Sequence, residues 1–281
     1  MMRGVDSKGI SLAKVALYIA LAIWFVFSVF PFYWLIVMAT RGTSSIFAFP
    51  PKLTFGQDFS TNVKHLFAAI PFFQSMANSI LVSGLSTILV LFFCSLAGFA
   101  FAKFDFPGKK TLFLIMLGTM MVPGQLGLVP SFIIMKTFHW VNTFQALIVP
   151  GAASAFGIFW LRQFSQSAIH DDLLHAARID GCTNIRLYFH IALPIMRPTL
   201  AALGIFTFMG SWNDYLWPLV ILNDPAKYTL QVMLSSLNGM YFKDYGMVMA
   251  GTLFATIPLV VLFAIFSRKL MGAVTVGAIK S

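Results

Sequence analysis

Apolar residues run almost unbroken through several stretches of this chain, and the polar residues collect between them. A helix needs about 20 such residues to cross the hydrocarbon core of a bilayer. Six stretches reach or approach that length: 15–38, 78–102, 111–134, 143–161, 200–222 and 247–266. In lipid every backbone polar group has to be satisfied within the segment, so such runs are expected as helices. The pattern predicts an all-α membrane protein with six transmembrane helices, residues 1–14 preceding a single transmembrane domain over 15–281.

Composition supports this picture. Hydrophobic residues make up 59% of the 281 positions and charged residues 10%, against roughly a quarter charged in soluble domains. The net charge of +10 does not indicate nucleic acid, because the basic residues are scattered through short loops. Their expected role is topological. With the start of the chain in the cytoplasm, thirteen of the nineteen Lys and Arg residues fall on the inner side, which favours cytoplasmic termini in a plasma (inner) membrane protein. The first apolar run follows Arg3, Lys8 and Lys14; it is too long for a cleaved signal and reads as a retained anchor. Cys94 and Cys182 have no metal-ligand spacing and read as free thiols.

One long amphiphilic interruption, residues 167–198, lies between the fourth and fifth runs and carries six charged residues. Ser167 or Asp171 can cap a short helix whose start holds Asp171 and Asp172, where carboxylates meet the positive end of the helix dipole. Leu173, Ala176, Ala177 and Asp180 recur at helical spacing and give one small or apolar face flanked by His175 and Arg178. Leu173 and Ile179 are its expected anchors, and the alanines let it sit deeply in a groove of another protein. The alternative is an amphipathic helix resting on headgroups. Gly181 supplies the positive φ that ends the helix. Thr183 caps a second short helix, and Leu193-Pro194 begins the return to the membrane.

The string His175-Ala176-Ala177-Arg178-Ile179-Asp180-Gly181-Cys182, followed by Phe189, Ile191, Leu193-Pro194 and Pro198, resembles the EAA loop of binding-protein-dependent ABC importer permeases. The resemblance extends to Asn78-Ser79-Ile80, to Ala97 through Ala102, to Phe106-Pro107-Gly108-Lys109, to Met121-Val122-Pro123, to Trp212 through Pro218 and to the tail Gly277-Ala278-Ile279-Lys280. Together these are similar to the six-span, maltose-permease-like subunit of carbohydrate uptake systems. The resemblance implies a type I importer permease fold, pairing with a second permease subunit, two ATPase subunits and an extracytoplasmic solute-binding protein. It implies that Asp172, Leu173, His175, Ala176, Ala177, Arg178, Asp180, Gly181 and Cys182 form a coupling site for an ATPase. ATP and magnesium belong to those partners, and this chain is expected to bind no cofactor and to catalyse nothing itself. Phe106-Pro107-Gly108-Lys109-Lys110 lacks the first glycine and the final Ser or Thr of a phosphate-binding loop. Where the family has glutamate this chain has His175; all nine of its acidic residues are aspartates. A histidine can be neutral or cationic near neutral pH, so an ion pair with a partner's arginine would be absent or reversed. His170 replaces the family's loop proline.

Polar residues inside spans are costly and often face a cavity. Asn213, Asp214 and Trp217 interrupt the fifth run, and Gln125 stands beside Pro123-Gly124, where the third should kink or split. Amide, carboxylate and aromatic groups suit a sugar; an aromatic belt or interhelical hydrogen bonding would use the same residues. The implied cargo is a carbohydrate, with a phosphorylated polyol such as glycerol phosphate as one alternative and a non-transporting scaffold that docks an ATPase as another. A self-sufficient ion-coupled carrier would need buried ionisable relays, and Asp214 is the one acidic residue in the spans.

Overall fold

The computed structural model of the protein describes residues 12–238 and 244–278, with side chains described over 13–238 and 244–266. Arg3, Lys8, Lys243 and Lys280 lie outside the described residues, and so does the end of the Gly277-to-Lys280 tail. In chain order the helices are α1 (Leu12–Ala39), α2 (Thr43–Ile46), α3 (Phe59–Ala69), α4 (Phe72–Lys103), α5 (Lys109–Thr119), α6 (Leu128–Thr137) and α7 (Gln145–Ile148). They continue as α8 (Ala155–Ala168), α9 (Asp171–Ile179), α10 (Asn184–Leu187), α11 (Leu193–Trp212), α12 (Leu216–Ile221), α13 (Leu230–Ser236) and α14 (Tyr245–Ala278). No strand occurs among the described residues.

Two compact units divide the chain. The first comprises residues 1–69 and 237–254. Within it, α1 is followed by a short segment knitted by polar groups. Arg41, almost fully buried, donates from Nε to the Thr54 carbonyl at 3.1 Å, and Asn62 donates to the carbonyls of Ala39 and Arg41. Asp244 accepts from Thr43 and lies 3.4 Å from His65. The aromatic-rich stretch that follows α1 is therefore an ordered structure with its own hydrogen-bonded core.

The second unit, residues 70–236 and 255–281, contains α4 to α13 and α14 from residue 255 onward. Its centre is α4, against which α8 and α11 pack. Val90, Cys94, Phe99, Ile158, Leu161, Met196 and Leu203 form the buried core of this group. Without a hydrophobic drive between helices in lipid, small residues and close backbone approach have to supply the attraction. Gly98 does so: a Cβ there would lie 2.9 Å from Leu161 Cβ and 3.0 Å from the Arg162 nitrogen, so only glycine lets α4 and α8 meet at that point.

Among the described residues four helical segments are long and apolar enough to cross a bilayer, 13–39, 72–103, 184–212 and 245–266, and a fifth is a broken pair, Lys109–Thr119 with Gly124–Thr137, bent by 93°. The break falls at Pro123-Gly124, where the missing N–H and the flexible glycine predict it. Three expected boundaries move. The second span begins at Phe72 instead of 78, because Gln74 and Asn78 satisfy their amides on the carbonyls of Ala226 and Tyr228. The run 143–161 is not one helix: α7 ends at Ile148, Pro150-Gly151 lies in the turn, and Ser154 starts α8 anew by accepting from the Gly157 N–H at 2.9 Å. The run 200–222 ends its long helix at Trp212, with α12 separate beyond it.

Candidate functional site

The loop between α8 and α11 forms where the sequence places it, with different details at each end. α9 spans Asp171–Ile179 as expected, but its N-cap is His170, whose side chain makes no capping bond. Ser167 instead donates back to the Phe164 carbonyl of α8. Asp171 turns away from the helix backbone and accepts from Lys103 Nζ, at the end of α4, at 2.8 Å. This bond and the ammonium charge hold the Asp171 carboxyl below the usual carboxylate range. A span terminus is thus tied to the first turn of α9.

The far end of α9 closes as a Schellman motif. Gly181 lies at φ +83°, its N–H donates to the Arg178 carbonyl at 3.0 Å, and the Cys182 N–H donates to the Ala177 carbonyl at 2.9 Å. Thr183 then caps α10, accepting from the Arg186 N–H at 3.5 Å. The second short helix of the loop does not stand alone. α10 passes through a π-turn, Tyr188–Ala192, into α11, so that residues 184–212 form one continuous helix. Pro194 accounts for the wide turn: it lacks an N–H and its ring crowds the carbonyl four residues back, and a π-turn accommodates both.

The two faces of α9 have different surroundings. Leu174 is 3% exposed within the core of the second unit, and Ala177 and Cys182 pack against the same core. Leu173, His175, Ala176, Arg178, Asp180 and Asp172 are exposed, and Ile179 is 87% exposed. The face expected to contain both alanines is therefore divided. Ala177 holds the helix to its own spans, while Ala176 lies outward with Leu173 and Ile179. The guanidinium of Arg178 stands 5.9 Å over the Phe104 ring. His175 lines a cleft of about 260 Å³ with Lys103, Lys109, Arg178, Asp105 and Asp171. Lys103 is paired with Asp171 and Lys109 with Asp105, so Arg178 is the cation of this lining that no carboxylate neutralises there.

Beneath α9, Tyr188 anchors the return helix. Its hydroxyl lies 2.6 Å from Ser95 Oγ of α4 in a buried contact, and its ring packs against Phe99. Lys103, Leu174, Ser95, Phe104 and Tyr188 escaped the sequence reading. For Lys103 the available signal was a cation ending an apolar run, opposite a loop rich in aspartate.

The candidate path residues are separate from this loop. Gln125 is exposed on the turn Gly124–Gly127. Asn213 donates back to the Met209 carbonyl at 2.9 Å, and Asp214 Oδ1 accepts from the Trp217 N–H at 3.5 Å, starting α12. The Trp217 indole donates to the Ala146 carbonyl of α7 at 2.9 Å. These bonds give the break between α11 and α12 a structural role, and no hydrogen bond of the described residues joins Gln125 to Asn213 or Asp214.

Long apolar helices, a broken span and an amphipathic loop clamped to the helix core define a polytopic membrane protein. The family described as "Binding-protein-dependent transport system inner membrane component" matches residues 94–272. The chain is 35% identical over 269 residues, 96% of its length and 97% of the relative's, to the lactose transport system permease protein LacG of Rhizobium radiobacter. It is 37% identical over 203 residues, 72% of each chain, to the arabinooligosaccharides transport system permease protein AraQ of Halalkalibacterium halodurans. A crystal structure of a bacterial ABC transporter involved in the import of the acidic polysaccharide alginate shares the fold, with a TM-score of 0.80 at 20% identity, covering 95% of this chain and 99% of that one. The chain belongs to the binding-protein-dependent transport system inner membrane component family.

Proposed function

We propose that this chain is a permease subunit that moves a carbohydrate into the cytoplasm, with α9 as the element that receives the work of ATP hydrolysis from a partner ATPase. The observation that carries this reading is the two-faced α9: Leu174 and Ala177 fix it to the spans, while Leu173, Ala176 and Ile179 are exposed for a cleft on another protein. Such a helix transmits motion, because anything that displaces its outward face displaces the core behind it. A second permease subunit, two ATPases and an extracytoplasmic binding protein complete the system. Hydrolysis and its magnesium chemistry reside in the ATPases, and the termini and the loop face the cytoplasm. Carbohydrate as cargo is supported by the lactose and arabinooligosaccharide systems named for the relatives.

Reconstitution into proteoliposomes with the cognate partners tests this. ATP-dependent uptake of a sugar held by the binding protein is the expected result. Uptake without ATPase would overturn the coupling role, uptake of a phosphorylated polyol alone would overturn the sugar assignment, and ATPase docking without any uptake would make the chain a scaffold.

A further inference from the structure

At the end of the second unit that bears α9, a second cleft of about 640 Å³ opens between α5, α8 and the 105–108 turn. Lys109, Lys110 and Arg162 line it, with Asp105 as the only acidic member among the described residues, and Phe101, Phe106 and Phe113 form its aromatic wall. Asp105 neutralises only one of the three cations, through Lys109 Nζ at 3.1 Å, and its carboxylate is fully exposed. The guanidinium of Arg162 stands 4.1 Å over the centre of the Phe113 ring; Nη1 donates to Gln163 at 3.1 Å, and the buried Nε has no protein partner. A guanidinium with free donor capacity suits an oxyanion, and the aromatic ring beneath it holds the group in place. The cleft also opens onto an apolar surface: Leu114 lines it, and Leu112, Leu114 and Ile115 of α5 are exposed. Cationic head-binding groups adjoining a greasy flank, at the terminus of a membrane segment, match a molecule that has a phosphate at one end and hydrocarbon at the other.

We propose that this cleft binds the phosphate of an anionic phospholipid such as phosphatidylglycerol, with Lys110 and Arg162 on the phosphate and the acyl chains along the outer side of α5. The site is distinct from the outward face of α9, and the proposal requires only that α5 lies in a membrane.

The test uses the full chain in nanodiscs of phosphatidylcholine containing a minor fraction of phosphatidylglycerol, released in native mass spectrometry. Preferential retention of phosphatidylglycerol is expected, with a drop of about fivefold in Lys110→Gln and a larger one when Arg162→Gln is added. Lys110 is exposed, so its replacement leaves packing unchanged and reads binding alone. Thermal melting of the unmodified protein with and without phosphatidylglycerol is the second measurement, and stabilisation by that lipid over phosphatidylcholine is expected. Equal retention in Lys110→Gln and the unmodified protein, or equal stabilisation by both lipids, would overturn the proposal. So would displacement of the lipid by inorganic phosphate, which marks a free-anion site, and so would loss of ATPase association with retention unchanged, which assigns the cations to a protein partner.

Discussion

Lys103, the last residue of α4, donates to the Asp171 carboxylate at 2.8 Å, although 68 positions separate the two in the chain. The lysine side chain is nearly buried and the aspartate is largely exposed, so the bond ties the first turn of a loop helix to the end of a span. Replacing Asp171 by Asn removes the charge and keeps the shape. Transport coupled to ATP should fall several-fold while membrane insertion is unchanged, read as substrate-stimulated ATPase activity in the reconstituted complex.

The same pair sets a pH expectation. Lys103 holds the Asp171 carboxyl below its usual range, so its contribution is complete above the unfolded carboxylate value, near 4, and is lost as pH falls through the lowered folded value. Coupling should therefore show no transition from this pair between pH 5 and pH 8. A carboxyl-type transition in that window that disappears in Asp171→Asn would contradict the assignment.

Gly181 gives a second expectation. A side chain added there would meet nothing within 4 Å, so the requirement for glycine comes from φ +83° alone. Asparagine, which enters the left-handed region at small cost, should retain most transport. Proline, fixed near φ −65° and lacking the N–H that donates to Arg178, should abolish transport with insertion intact. Normal uptake by Gly181→Pro would show that the Schellman closure is dispensable.

Much of this architecture was legible because its causes are local. Long apolar runs produced α1, α4 and α14, Pro123-Gly124 broke the third span, and Asp180-Gly181 stopped α9. The division of the alanine face was not legible: a helix that has neighbours on two sides shows small residues on both, and only tertiary contact separates Ala177 from Ala176. The split of 143–161 was hidden for a related reason, since hydropathy does not register that Pro150 and the Ser154 cap end one helix and begin another. Lys103 and Asp171 meet only after α4 and the loop are folded.

The buried Ser95–Tyr188 contact predicts a stability effect. Tyr188→Phe removes one hydrogen bond and preserves the ring on Phe99, costing about 1 kcal/mol. Tyr188→Ala empties a core position and should cost about 3 to 5 kcal/mol. Thermal melting of the purified protein in detergent separates the two, and equal losses would mean that the hydroxyl dominates over the ring.

His175→Glu places a carboxylate in a cleft where Arg178 stands beside the paired Lys103–Asp171 and Lys109–Asp105. Assembly should survive, with a modest change in ATPase stimulation measured at neutral pH. Complete loss of assembly would show that the partner's cleft has adapted to an imidazole.

The π-turn that joins α10 to α11 carries the helix on without a break. Residues 184–212 form a single rod of 29 residues, on the order of 40 Å long at about 1.5 Å per residue. A tilt of about 10° about its loop end would carry the other tip sideways by about 7 Å, more than the diameter of a water molecule. That tip is Trp212, directly before Asn213 and Asp214, so under the proposed coupling role a small rotation at the loop end would be amplified at the break between α11 and α12.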